Sequence, residues 1–110
     1  MANVHRGDAE IVIGGRRFTL RLTLGALAEL EAAFAVDNLD ALGRRFASGR
    51  LGSRDLVRLL GAGIRGGGVP LSDDEVAALP LVEGLEPVAD AIAGMLEGCF
   101  SSGGDASPRP

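Results

Sequence analysis

A chain of 110 residues with 46% hydrophobic content is sized for one domain that buries roughly two-thirds of its unfolded surface. A net charge of −4, with eleven Arg and no Lys, disfavours a general nucleic-acid binder, and no apolar run is long enough to span a membrane. With four Phe and no Trp or Tyr the core must be aliphatic, and the single cysteine, Cys99, excludes an internal disulfide. The N-terminal MANVHRGDAE has no apolar segment to act as a secretion signal, and the Arg-, Gly- and Ala-rich composition suits a GC-rich bacterial genome. The expected setting is therefore a bacterial cytoplasm.

Residues 1–7 read as a frayed lead-in. After them, AEIVI and RRFTLRL flank Gly14-Gly15, and a Gly-Gly pair between two alternating runs signals a two-residue hairpin, because both central residues of a type I′ turn need positive φ. That loop sets Ile13 against Arg16, Ile11 against Phe18 and Ala9 against Leu20. One face then carries Ala9, Ile11, Ile13, Phe18, Leu20 and Leu22. The other carries Asp8, Glu10, Arg17, Thr19 and Arg21, with Asp8 opposite Arg21 and only Val12 out of place.

Thr23 is a fitting N-cap for a helix over 24–35, with Leu24, Leu27, Leu30 and Phe34 forming a core-facing stripe and Glu31 inside it, read as a snorkelling or Arg-paired residue rather than a buried acid. Asn38 caps a helix over 39–48 with Leu39, Leu42 and Phe46 inward, Arg44 and Arg45 in its last turns and Gly49 at C′. Ser53 caps a third helix over 54–65 with Asp55 in its first turn; Leu56, Val57, Leu59, Leu60 and Ile64 are its apolar side, and Gly66–Gly68 ends it. Ser72 and Glu75 form a capping box, Leu71 and Val76 a hydrophobic staple, and Pro80 stops that helix near Leu79. A last helix over 85–100 puts Leu85, Val88, Ile92, Leu96 and Cys99 on one side, with Pro87 tolerable in its first turn.

The fold class is thus α+β: an N-terminal two-stranded antiparallel β-hairpin packed on four to five short helices. A lone hairpin is marginal in water, so its apolar face is expected to be covered by the 24–35 and 85–100 helices. Residues 1–100 read as one small domain and 101–110, SSGGDASPRP, as a disordered tail by composition.

No stretch carries catalytic chemistry. Gly61-Ala-Gly63-Ile-Arg-Gly66 matches G-x-G-x-x-G, but a dinucleotide site needs that pattern opening a helix after a strand, and here it lies within and at the end of one. His5 and Cys99 are each alone, so neither a metal set nor a nucleophile–base pair can be assembled, and Asp73, Asp74 and Glu75 are explained by the helix dipole. No cofactor and no enzyme activity are expected. Arg44, Arg45, Arg50, Arg54 and Arg58 border two helices joined by a tight turn, which leaves a helix-turn-helix-like nucleic-acid module as a lower alternative, although no Asn, Gln or Lys is there to read bases.

Helical wheels at about 100° per residue set Arg54, Arg58 and Arg65 on one ridge of the third helix and Glu86, Asp90 and Glu97 on an acidic ridge of the last. Both ridges are expected to point outward and to serve as partner-binding surfaces, including head-to-tail contacts in a homo-oligomer.

On GRRFTLRLTLGALAELEAAF, RDLVRLLGAGIRGGG and LSDDEVAALP, the chain resembles gene transfer agent and phage tail proteins, a group that includes tail tube-associated proteins and tail assembly chaperones. The resemblance implies a non-enzymatic morphogenesis protein: an assembly factor that binds the tape-measure protein or tail subunits, or alternatively a structural component of the tail tube. It implies tail proteins as partners, no membrane, and incorporation in a phage-like particle for the structural alternative.

Overall fold

The computed structural model describes residues 8–48 and 50–105. The expected lead-in with His5, the C′ position Gly49, the Cys99 side chain and the tail beyond 105 lie outside the described residues. In chain order the elements are β1 (Ala9–Ile13), β2 (Arg16–Leu20), α1 (Leu24–Ala33), α2 (Leu39–Ala47), α3 (Ser53–Gly66), α4 (Asp73–Ala77) and α5 (Glu86–Asp105). This is the α+β arrangement expected, with α5 reaching past residue 100 into the stretch read as tail.

The hairpin has the register that its sequence dictates, Ala9 opposite Leu20 through Ile13 opposite Arg16. Gly14 and Gly15 take φ of 60° and 81°, the left-handed pair of a type I′ turn. Ile11, Ile13, Phe18 and Leu20 are buried on one face. On the other, Asp8 accepts two hydrogen bonds from the Arg21 guanidinium, at 3.1 Å from Nε and 2.9 Å from Nη2, and Glu10 pairs diagonally with Arg17. Hydrogen bonding to Asp8, then its charge, raises the Arg21 pKa.

What covers the hairpin differs from expectation. α5 packs beneath β1 and α3 beneath β2, while α1 packs on α3. The reason lies in the glycines of α3. A Cβ on Gly63 would stand 2.7 Å from Met95 Sδ and 3.3 Å from Leu20 Cβ, so β2, α3 and α5 meet where a side chain is missing. A turn later the approach is backbone to backbone: a Cβ would lie 1.9 Å from Arg21 O at Gly66 and 2.0 Å from Thr19 O at Gly67. The Arg21 N–H donates to Gly63 O at 3.0 Å across this seam.

Local capping follows the sequence with one change. Thr23 Oγ1 accepts from the Ala26 N–H at 3.0 Å, Asn38 Oδ1 accepts from the Ala41 N–H at 2.8 Å, and Ser72 and Glu75 form both bonds of their capping box. α3 instead begins at Ser53 with Gly52 as its N-cap, and Asp55 takes over by accepting from the Gly52 N–H at 3.1 Å. The same Asp55 carboxylate holds Arg45 of α2 at 3.1 Å, so one side chain caps α3 and ties it to α2.

Leu24 and Leu39, expected inward, are exposed, Leu24 by 83%. Each is the first residue of its helix, and helical side chains lean toward the N-terminus, so both project past the end of the buried stripe. Leu27, Leu30, Leu42 and Phe46 are buried as the periodicity requires. Phe34 closes α1 edge-on against Phe46, ring centroids 5.4 Å apart at 84°, with the Arg45 guanidinium over its face.

α1 ends in a Schellman motif: the Val36 N–H donates to Glu31 O at 3.0 Å and the Ala35 N–H to Ala32 O at 3.2 Å. Ala35 is held at φ 56°, where an L-residue is strained by about 1–2 kcal/mol. Ala35→Gly should therefore raise stability by about 1 kcal/mol, read as a thermal transition several degrees higher. Gly67→Ala should act in the opposite sense, by about 1–3 kcal/mol, because its methyl meets a backbone carbonyl that cannot swing away. Equal transitions for Gly67→Ala and the parent would refute the close approach.

Candidate functional site

The surface most suited to a partner is an apolar groove of about 220 Å³ between α3, α4 and the start of α5. Its floor is Leu56, Val57, Leu60, Val76 and Val88, and its outer wall is Leu79, Leu81 and Leu85. Val76 and Leu60 are buried, whereas Leu81 and Leu85 are exposed, and Val82 beside them is 76% exposed. Three large apolar side chains exposed within five residues form a local patch rather than scattered surface leucines. At Ser53, Val57 and Ala77 the groove continues into a polar depression that has Arg54 and Arg58 on one side and Asp73 and Asp74 on the other.

The outer wall is placed by turn chemistry. Pro80 ends the α4 segment, and the chain then turns at Leu81–Gly84, the Gly84 N–H donating to Leu81 O at 3.1 Å with Gly84 at φ 92°. Glu83 projects from this turn to the hairpin, where its carboxylate oxygens accept from the Gly14 N–H at 2.8 Å and the Gly15 N–H at 3.0 Å. The bond from Gly14 is the main cause of a Glu83 pKa held below the ordinary carboxylate range. One exposed carboxylate thus joins the groove wall to the turn of the hairpin. Sequence reading missed it, since the two partners are 69 residues apart; the only signal was a type I′ turn whose two glycine N–H groups needed an acceptor.

α4, the third wall, is held by Arg65. Its guanidinium bonds Asp73 at 3.0 Å, Glu29 at 2.6 Å and Leu71 O at 2.7 Å, joining α3 to α4 and α1. Burial works against the Arg65 charge, but the bonds to Asp73 and Glu29 outweigh it and raise its pKa. Gly61 leaves the room, since a Cβ there would come within 2.2 Å of Asp73 Oδ1.

The six residues expected to form ridges are placed unequally. Arg54 is exposed at the end of the groove, but Arg58 is half-buried and donates to Ala33 O at 3.2 Å, and Arg65 is engaged as described. The basic row therefore does not face solvent as one ridge, because Arg58 reaches across to α1 and Arg65 to α1 and α4. Glu86, Asp90 and Glu97 are all exposed along α5. Of the other helix-pair arginines, Arg44 pairs with Asp40, and Arg45 with Asp55 and Arg50 O. Arg50 and Arg54 are exposed and make no ion pair among the described residues. Among the described residues no group of three His, Cys, Asp or Glu side chains could hold a metal ion, and no helix is long and apolar enough to cross a membrane.

A family model described as phage tail tube protein, GTA-gp10, matches residues 6–102, which takes in both strands, all of α1 to α4 and most of α5. The chain belongs to this family. Neither a comparison with curated proteins nor one with solved structures found a match. Membership gives this gene transfer agent family protein a phage-tail-related role.

The Glu83 clamp makes a pH-dependent prediction. A carboxyl whose native pKa is lowered contributes stability that is present above its unfolded pKa, about 4.3, and is lost as pH falls through the lower native value. Glu83→Gln should lower the thermal transition at pH 7, with the difference from the parent shrinking below about pH 4. A difference that is unchanged across that range would contradict the clamp.

Proposed function

We propose that the protein is a tail-assembly factor that works by binding, seating an apolar segment of another tail protein, the tape-measure protein or a tube subunit, in the groove between α3, α4 and α5. The observation that carries this reading is the apolar groove whose wall leaves Leu81 and Leu85 exposed, with Val82 exposed beside them. A groove of this kind suits an amphipathic segment whose apolar side chains fill it while charges stay at the rim. Arg54 at one end and the exposed Glu86 at the start of α5 supply rim charges of both signs, and Asp90 and Glu97 extend the acidic side along α5. Rim charges of this sort contribute more to steering and register than to affinity.

A second reading, a structural component of the tail tube, is favoured by the description of the family itself. The two are separated by quantitative mass spectrometry of purified particles. An assembly factor should be absent from mature particles or present at trace level, and a tube component should be among the abundant proteins.

The groove is tested separately. Leu81→Glu combined with Leu85→Glu replaces two exposed side chains, so the thermal transition should stay within a few degrees of the parent. Truncating central apolar contacts typically costs more than 1 kcal/mol each, so binding to the tail partner should weaken by about tenfold or more. Particle yield should fall with it. Unchanged binding and yield would remove the groove from the account.

A further inference from the structure

The two edges of the hairpin are treated differently by the fold. In a hairpin closed by two residues, Ile13 and Arg16 exchange hydrogen bonds, and the alternation then points the N–H and C=O of Glu10 and Val12 on β1, and of Arg17 and Thr19 on β2, away from the partner strand. On the β2 side this outer edge is covered from Thr19 onward: Thr19 O and Arg21 O lie against Gly67 and Gly66, and the Arg21 N–H is bonded to Gly63 O. On the β1 side, Glu10 and Val12 make no backbone hydrogen bond outside the hairpin among the described residues. A depression of about 380 Å³ borders that edge, lined by Glu10, Val12, Arg17, Glu83 and Pro87. Val12, the one apolar residue on the polar face, is 36% exposed at the same place.

We infer that the outer edge of β1 pairs antiparallel with the same edge of a second copy of this chain, about a two-fold axis at Ile11, forming one continuous sheet across two copies. A row of outward N–H and C=O groups is satisfied by another strand and by few other occupants. β1 itself, Ala-Glu-Ile-Val-Ile, is β-branched and alternating, as an added strand requires.

The register follows from which residues point outward. With the axis at Ile11, Glu10 of one copy faces Val12 of the other, and each such pair exchanges both backbone hydrogen bonds. No like charges then stand directly opposite, as they would if Glu10 faced Glu10. Each Val12 lies between Arg17 of its own chain and the methylene stem of Glu10 of the second copy, which covers the exposed apolar surface. The contact is isologous and closes on itself, so it is distinct from the head-to-tail contact of charged ridges and independent of what the α3–α4 groove binds.

The test uses the full chain, with sedimentation and amide exchange by NMR over a concentration series. Self-association is expected, and with it a slowing of the Glu10 and Val12 amides that grows with concentration. Val12→Pro removes an N–H that points away from β2, so the hairpin ladder is kept and edge proline is tolerated. Two intermolecular bonds are lost per pair of copies, and association should weaken by at least about tenfold with the circular dichroism spectrum unchanged. Should the proline variant fail to fold, Val12→Asp serves in its place, setting a carboxylate opposite Glu10 of the second copy and weakening association in the same way. A chain that stays monomeric at high concentration would overturn the inference. So would association in which the Glu10 and Val12 amides keep their exchange rates, or association that survives both substitutions.

Discussion

The contact on which the rest of this molecule depends is the approach of the α3 C-terminal turn to β2. Gly63, Gly66 and Gly67 bring helix backbone against strand backbone, and the Arg21 N–H closes the seam on Gly63 O. A two-stranded hairpin is marginal in water and needs a covered apolar face. Here the cover is built from two helices, and Gly63 is where both of them meet Leu20. The cost of glycine in a helix, about 1 kcal/mol each relative to alanine, is offset by a packing distance that no side chain would allow.

From that seam the site follows. Docking β2 on α3 sets β1 over α5, which presents the hairpin turn to the segment following α4. Glu83 then bonds both turn glycines, and Arg65 fixes α4 against α3 and α1. Between these two clamps lies an apolar groove that the described residues do not fill.

The parts of this arrangement that the sequence reveals are the local ones. Alternation across Gly14-Gly15 determines the hairpin register, because a slip by one residue would invert every side chain. Thr23, Asn38 and the Ser72–Glu75 pair announce helix starts because their bonds span only three residues. Leu24 and Leu39 mislead for a definite reason: periodicity assigns a residue to a face of the helix but does not say whether the core extends to the helix end. The wheel for Arg58 and Arg65 is correct as geometry, yet opposite the apolar stripe does not mean facing solvent when α1 and α4 flank the same helix. The G-x-G-x-x-G spacing lies within and at the end of α3, and its packing role depends on Asp73, Met95, Leu20 and Arg21, which only the tertiary structure sets opposite it. Glu83 is the extreme case, a two-bond clamp signalled only at the turn glycines that receive it and by nothing around Glu83 itself.

The central claim is that the hairpin is an integral part of the core, held through α3, and not a flap resting on it. Native-state amide exchange of Arg21 measures this most directly, since its N–H is the bond across the seam. The account predicts that Arg21 exchanges only with global unfolding, as slowly as the amides of Leu59 and Leu60 at the centre of α3. An Arg21 amide that exchanges by local opening, orders of magnitude faster than those, would contradict it.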